Sequence, residues 1–293
     1  MADVVKYCDK IIFNSLNQLE QFREQAQGKS IGLRLNPEIG HSEYSLSDTV
    51  AQYSRLGVQT SQLPDGIADI LDGAMLHMNC ENHDFISFSH QLDEVEKRFA
   101  ELLPKLKWLS LGGGVAFTGD GYPLDAFCER LGVLARTYDL QIYLEPGEAS
   151  VTKSTSLVVS VLDKIDNGLS TLIVDAGVET HLLDVLVYQF TPALDGAEEI
   201  ETSDIEAAIA SGKHVYRVCG RTCLAGDVFG TYAFDQPIEI GDELRFTDVA
   251  GYSMVKKNYF NGIKMPAICH KNIQGETRVI KEFSYEVFRD LLS

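Results

Sequence analysis

Short apolar runs alternate with segments of helical periodicity along the first half of the chain. Five runs have the length of a buried strand, and they are IIFN (11–14), IGLRLNP (31–37), GAMLHMN (73–79), WLSLGGG (108–114) and QIYLEPGEA (141–149). Helical periodicity is found in the four segments 15–27, 48–58, 91–106 and 123–138. Strand–helix units that follow one another in this way predict a parallel sheet with helical crossovers.

Polar and ionisable residues stand where the predicted strands end. Arg34 lies in the later part of the second run, His77 in that of the third, the glycines 112–114 at the end of the fourth, and Glu145 and Glu148 in the later part of the fifth. In (β/α) barrels the carboxyl ends of the strands carry the active site. We therefore expect the functional residues of this half to meet at that edge.

The residue pattern changes after about residue 150. The runs SLVVSVLDKI (156–165), STLIVDAG (170–177) and HVYRVCG (214–220) are short, rich in β-branched residues, and separated by Gly, Asn and Asp. This pattern predicts a mainly antiparallel β domain. We therefore expect an α/β chain of two domains, with a (β/α) barrel part at 1–150 and a β domain at 151–293.

The charge balance narrows the class of partner. The chain has 25 Lys and Arg against 43 Asp and Glu, a net charge of −18. Non-specific nucleic-acid binding depends on clustered basic residues, so we expect no nucleic-acid partner. The acidity fits a small cationic substrate, although solubility alone also accounts for it.

The sequence gives no sign of a membrane or secreted protein. No stretch approaches the roughly 18 apolar residues of a membrane span, and MADVVKYCDK lacks the features of a signal peptide. The six cysteines form no disulfide framework, and the Cys219–Cys223 spacing lacks the further ligands of a zinc site. We therefore expect a cytoplasmic, reduced protein without a metal site and without membrane contact.

Each candidate motif, taken singly, also has a structural explanation. The glycines 112–114 could approach a phosphate or could simply form a turn. His77 could stack on a ring, or could be a half-buried histidine with its hydrogen bonds satisfied. Cys223 lies in the glycine-rich loop GRTCLAGD and could be a structural thiol.

Taken together, the motifs resemble a known family. A barrel part ending in EPG and a β domain with a cysteine–aspartate loop resemble the fold-type III pyridoxal-phosphate decarboxylases, relatives of ornithine and diaminopimelate decarboxylases. The sequence motifs are most similar to those of the carboxynorspermidine (carboxyspermidine) decarboxylase branch. The segments that carry this similarity are 32–41, 54–57, 77–82, 109–114, 144–149, 174–186, 223–234 and 251–262.

The resemblance implies a cofactor, pyridoxal 5′-phosphate, which accepts the electrons left when an α-amino acid loses CO₂. The cofactor-binding residues that it implies are His77, Gly112, Gly113, Gly114, Glu145 and Tyr252. Glu145 matches the carboxylate that faces the pyridine nitrogen. The glycine loop and Tyr252 match the phosphate site, and His77 matches the residue stacked on the ring.

The resemblance also implies the substrate-binding and catalytic residues. Glu148 stands where ornithine and diaminopimelate decarboxylases carry a phosphate-binding arginine, and a carboxylate there suits a substrate amine. Asp184 supplies a second carboxylate, although the branch usually has a proline where this chain has Leu183. Cys223 matches the residue that protonates the product, so Cys223 and His77 are the expected catalytic residues. Asp227 is expected to contact the substrate or the cysteine loop.

Two further expectations follow from the family pattern. In this fold the cysteine loop reaches across a dimer interface, so we expect a homodimer with shared active sites. The family's cofactor-linked lysine lies on the first barrel strand, whereas this sequence resembles the pattern only from the third or fourth strand–helix unit onward. None of the 14 lysines lies in a matching position. We therefore expect an N-terminally truncated form and assign no catalytic lysine.

The resemblance thus implies a lyase of polyamine biosynthesis that converts carboxynorspermidine or carboxyspermidine into norspermidine or spermidine. A diaminopimelate-decarboxylase-like enzyme is one alternative, which an arginine at position 148 would have supported. A non-catalytic homologue that acts as a binding protein is the other.

Overall fold

The computed structural model describes residues 1–292, and of Glu148 only the backbone. The chain folds into two compact units, Met1–Ser150 and Val151–Ser293. Each unit has its own hydrophobic core.

The first unit contains short strands and four α-helices. Its strands are β1 (Lys10–Phe13), β2 (Ser30–Asn36), β3 (His41–Ser42), β4 (Val58–Gln59), β5 (Gly73–Leu76), β6 (Asn79–Cys80), β7 (Trp108–Ser110) and β8 (Gln141–Tyr143). Its helices are α1 (Ala2–Tyr7), α2 (Leu16–Phe22), α3 (Phe85–Arg98) and α4 (Leu124–Tyr138).

A six-stranded parallel sheet organises this unit. Its strand order is β1-β2-β5-β7-β8, with β4 paired to β2. All three residues of β7 are buried, as is typical of a parallel strand covered on both faces. The α/β prediction is confirmed, and the sheet agrees with the expected partial barrel.

Helix α3 shows how the sequence directs the packing. It begins at the N-cap Asp84, whose side chain accepts a hydrogen bond from the Ile86 N–H. Phe88, Leu92 and Val95 recur every three or four residues and are buried in the core. The helix therefore starts six residues before the predicted segment at 91–106, because the cap precedes the first clear apolar repeat.

The helix predicted at 48–58 is wrong, since this segment consists of turns followed by β4. The Asp48 carboxylate accepts the Val50 N–H, and the Ser54 hydroxyl donates to the carbonyl of Thr49. These local side-chain bonds compete with the hydrogen-bond ladder of a helix. Gly57, at φ +80°, ends no helix but allows the backbone to pass close to β2.

The second unit is built on β-strands. They are β9 (Leu157–Asp166), β10 (Ser170–Val174), β11 (Ala197–Glu199), β12 (His214–Cys219), β13 (Val228–Phe234), β14 (Glu243–Phe246), β15 (Ile268–Lys271) and β16 (Thr277–Lys281). The helices are α5 (Val178–His181), α6 (Leu183–Tyr188), α7 (Ile205–Ala210), α8 (Tyr252–Lys256) and α9 (Tyr285–Leu292).

Its main sheet has the order β11-β13-β12-β10-β9-β14. The pairs are antiparallel except for β10 with β12, so the predicted mainly antiparallel character is confirmed with one parallel exception. Stacked rings of Phe229 and Phe246, 4.5 Å apart, lie in its core. None of the helices among residues 1–292 has the length and apolar character that crossing a membrane requires.

Candidate active site

The carboxyl ends of β5, β7 and β8 bring His77, the glycine run and Glu145 together. The Gly113 N–H donates a hydrogen bond to Nδ1 of His77 at 3.2 Å. The Glu145 N–H donates to the carbonyl of Gly112 at 2.8 Å. The predicted meeting of polar residues at this edge of the sheet is therefore realised for these residues.

The glycines are required by close packing of the strand ends. A Cβ on Gly112 would lie 2.5 Å from Nδ1 of His77, and one on Gly113 would lie 2.5 Å from the Glu145 carbonyl oxygen. A Cβ on Gly114 would overlap the carbonyl oxygen of Asn79. Gly112 and Gly114 also have φ values of +66° and +82°. The structural explanation of the glycine run therefore holds alongside the functional one.

The surroundings of the His77 ring favour its neutral form. Burial lowers its pKa, and the Arg34 charge lowers it further, while the Glu145 carboxylate opposes both. Because Nδ1 accepts the Gly113 N–H, the proton of the neutral ring is on Nε2. A neutral, fixed, half-buried ring is suited to stacking against a planar group.

Ser110 is a site residue that the sequence reading missed. It is the last residue of β7, is buried, and donates a hydrogen bond from Oγ to Oε1 of Glu145 at 2.5 Å. Its position as a hydroxyl inside the apolar run WLSLGGG was the available signal, since a buried polar group needs a partner. Ser110 orients the Glu145 carboxylate.

These residues fit pyridoxal phosphate. The Glu145 carboxylate is exposed and oriented, so one oxygen can accept a hydrogen bond from a protonated pyridine nitrogen. The N–H groups of Gly112 and Gly113 already donate to Ser110 and His77. Among the described residues the Gly114 N–H has no acceptor, and it can therefore serve a phosphate oxygen.

Glu148, the other carboxylate predicted at this strand end, begins the 3₁₀ turn Glu148–Ser150. Its side chain lies outside the described residues. Its role toward a substrate amine stays a prediction.

In the second unit, Asp227 organises the loop that carries Cys223. Asp227 is only 3% exposed, and its two carboxylate oxygens accept the N–H groups of Val178 at 2.7 Å and Thr222 at 2.8 Å. Gly220 has no side chain to displace this carboxylate, which a Cβ there would overlap. These are the contacts of a loop anchor. A substrate contact by Asp227 stays a prediction.

Cys223 lies at the exposed part of this loop, between β12 and β13. Its N–H donates a hydrogen bond to Oδ1 of Asn261 at 2.7 Å. An exposed thiol on a hydrogen-bonded loop can deliver a proton to a bound molecule. Asn261 is the second residue that the sequence reading missed.

Asp184, predicted to bind a substrate amine, forms an ion pair with Lys256. The Lys256 ammonium also lies 4.7 Å from the ring centre of Tyr252 and 5.5 Å from that of Tyr188. A carboxylate and two rings around one ammonium form a cation site. The structure thus groups Asp184 and Tyr252 around Lys256, which the sequence reading did not single out.

Comparison with known proteins identifies the class of protein to which this fold belongs. The family model of the pyridoxal-dependent decarboxylase C-terminal sheet domain matches residues 151–250. The crystal structure of carboxynorspermidine decarboxylase from Campylobacter jejuni, complexed with norspermidine, superposes with a TM-score of 0.86 at 31% identity. That match covers 99% of this chain and 77% of the other. The fold and the C-terminal sheet domain thus identify the class of protein as the pyridoxal-dependent decarboxylases.

Sequence relatives narrow the class. The carboxynorspermidine/carboxyspermidine decarboxylase of Herminiimonas arsenicoxydans is 47% identical over 99% of this chain and 76% of its own length. The carboxyaminopropylagmatine decarboxylase of Synechocystis is 35% identical over 99% of this chain and 73% of its own. The chain belongs to the carboxynorspermidine/carboxyspermidine decarboxylase family, as the sequence motifs indicated, and spans about three quarters of these relatives' length.

Proposed function

We propose that the protein containing these residues removes CO₂ from carboxynorspermidine or carboxyspermidine and releases norspermidine or spermidine. The 47% identity over 99% of the chain to a relative of that name is the observation that carries this assignment. The likeness to the Campylobacter jejuni structure complexed with norspermidine supports a polyamine substrate.

The residues of the first unit bind and orient the cofactor in this proposal. Pyridoxal phosphate, when bound, takes up the electrons that loss of CO₂ leaves behind. Glu145, oriented by Ser110, accepts a hydrogen bond from the pyridine nitrogen and keeps it protonated. The His77 ring, whose neutral form is favoured by burial, would stack on the ring of the cofactor. The Gly114 N–H binds a phosphate oxygen, and the phosphate contact expected of Tyr252, a residue of the second unit, stays a prediction.

In this proposal acidic side chains bind the substrate, and the Cys223 thiol supplies the proton. Asp184 and Glu148 receive the ammonium groups of the polyamine, in keeping with the net charge of −18. The Cys223 thiol donates its proton to the carbon that has lost CO₂, so one proton replaces the carboxylate. Asp227 holds the loop in place for that transfer.

Carboxyaminopropylagmatine is a second candidate substrate. The 35% identity to a decarboxylase of that name, again over 99% of the chain, favours it over diaminopimelate. The diaminopimelate decarboxylase of Archaeoglobus fulgidus is 26% identical over 86% of the chain. Glu148 in place of an arginine also speaks against diaminopimelate.

Substrate competition tests the assignment. We expect kcat/KM for carboxynorspermidine or carboxyspermidine to exceed that for meso-diaminopimelate and carboxyaminopropylagmatine at least tenfold. That ratio corresponds to about 1.4 kcal/mol of transition-state binding. A preference for either of the other two substrates would overturn the assignment, and binding of polyamines without turnover of any substrate would favour the non-catalytic alternative.

We also propose that the protein is a homodimer with shared active sites, which the family pattern implies. A two-fold dimer in sedimentation at micromolar concentration supports this. A fully active monomer contradicts it. Localisation of the protein in the cytoplasm stays a prediction from the sequence.

A further inference from the structure

Two segments of the second unit meet at the short helix α5. The Cys223 loop is tied to this helix by Asp227, which accepts the Val178 N–H. The segment after α8 is tied to it by Asn258, whose N–H donates to the Thr180 carbonyl at 3.0 Å and whose Nδ2 donates to the Glu179 carbonyl at 2.9 Å. Helix α5 is therefore a common anchor for both segments.

Asn261 joins the two segments directly. Its Oδ1 accepts the Cys223 N–H, while the carboxylate of Asp227 accepts the N–H of the preceding residue, Thr222. Two successive peptide N–H groups are thus bound by side chains from two different parts of the chain. Because this fixes the two peptide planes on either side of the Thr222 Cα, it restricts the direction in which the Cys223 side chain leaves the loop.

The backbone of Asn261 is suited to this task. Its φ of +55° and ψ of +14° lie in the left-handed region, which Asn tolerates better than most residues. The next residue, Gly262, also has a positive φ of +68°. Residue 261 therefore needs both a left-handed backbone and a side-chain acceptor, a combination that favours Asn or Asp.

We infer that Asn261 is a positioning residue for Cys223, and that its amide oxygen holds the Cys223 backbone in the geometry from which the thiol donates its proton. The effect on catalysis rests on the proposed function, since it requires Cys223 to be the proton donor. The effect on the conformation of the Cys223 loop does not depend on the proposed function.

Three variants separate the acceptor from the backbone. Asn261→Gly keeps the left-handed conformation and removes the acceptor. Asn261→Asp keeps both the left-handed backbone and a side-chain acceptor oxygen. Lys153→Gly is the matched control, because Lys153 is exposed, lies in the same unit and has a similar φ of +58°. Hydrogen–deuterium exchange of a peptide covering 220–227 reports on the Cys223 amide, and kcat and KM report on catalysis.

In Asn261→Gly we expect exchange of this peptide to be about three- to tenfold faster, which is the loss of one hydrogen bond. We expect kcat to fall about 10- to 100-fold with KM changed less, as for a misplaced catalytic group. Asn261→Asp restores both values, and Lys153→Gly changes neither. Exchange within twofold of wild type in Asn261→Gly overturns the inference, as does failure of Asn261→Asp to restore the slower exchange.

Cys223→Ala distinguishes the effect on the loop from the effect on catalysis. Faster exchange in Asn261→Gly together with wild-type kcat in Cys223→Ala supports the hydrogen bond but refutes Cys223 as proton donor. Loss of kcat in Asn261→Gly without a change in exchange refutes positioning by Asn261 and leaves the proposed function intact.

Discussion

Lys256 donates a hydrogen bond to the carboxylate of Asp184, 72 residues away in the sequence. Both side chains are largely shielded, with 30% of the lysine side chain and 13% of the aspartate side chain exposed. The Asp184 carboxylate is therefore already paired with an ammonium group of the chain itself. A substrate ammonium that reaches Asp184 must compete with Lys256.

Substitutions at these two positions should shift KM in opposite directions. Asp184→Asn removes a charge-assisted hydrogen bond of about 1.5–3 kcal/mol, so we expect KM for carboxynorspermidine to rise about 10- to 150-fold. Lys256→Met keeps the apolar stem and removes the competing ammonium, so we expect KM to fall. Steady-state kinetics measures both. An unchanged KM in Asp184→Asn would show that Asp184 only anchors Lys256.

Asp227→Asn should destabilise the protein. Both Asp227 oxygens accept backbone N–H groups in a buried position. The Asn amide places an NH₂ donor against one of these N–H donors, which leaves a buried group unpaired at about 1–3 kcal/mol. Urea denaturation measures the loss. Wild-type stability with a raised KM would instead support a direct substrate contact by Asp227.

Gly28 and Gly114 have nearly equal φ values. Comparing their alanine variants therefore separates the cost of backbone strain from the cost of overpacking. Gly114, at φ +82°, lies against the Asn79 backbone, whereas an added Cβ on Gly28, at φ +84°, would have nothing within 4 Å. We expect Gly28→Ala to cost about 1–2 kcal/mol of unfolding free energy from strain alone. Gly114→Ala should cost about 1–3 kcal/mol more from overpacking. Urea denaturation of the two variants measures the difference, and equal losses would show that the strand ends can move apart.

Stability should fall on acidification because of His77. Burial lowers its folded-state pKa below the unfolded value of about 6.5, so the unfolded state binds more protons between these two values. Unfolding free energy therefore rises with pH through that window and is constant above it. Thermal melts between pH 5 and 7.5 should show a weaker slope for His77→Gln.

The exposed His83 provides the control for that measurement. His83→Gln should leave the slope unchanged. His181, also buried with a pKa lowered mainly by burial, contributes in the same direction, so some slope remains in His77→Gln. An unaltered slope in His77→Gln would contradict the electrostatics described for that ring.

Local pattern was enough to predict the strands β1, β2, β5, β7 and β8 and the helices α2, α3 and α4, because apolar periodicity reports directly on burial. It failed at 48–58, where the hydroxyl and carboxylate of Ser54 and Asp48 bind the backbone locally. Local pattern could not predict which residues form hydrogen bonds with the site residues. Ser110 lies 35 residues from Glu145, and Asn261 lies 38 residues from Cys223. Such pairings are set by tertiary structure and leave no periodic signal.

The most direct test of the proposed function is CO₂ release from carboxynorspermidine in the presence of pyridoxal phosphate. It is measured on the protein that contains these residues, with norspermidine identified as the product. We expect CO₂ and norspermidine to form in equal amounts, because the proposed reaction replaces one carboxylate with one proton. A protein that binds pyridoxal phosphate yet releases no CO₂ from carboxynorspermidine or carboxyspermidine would contradict the proposed function.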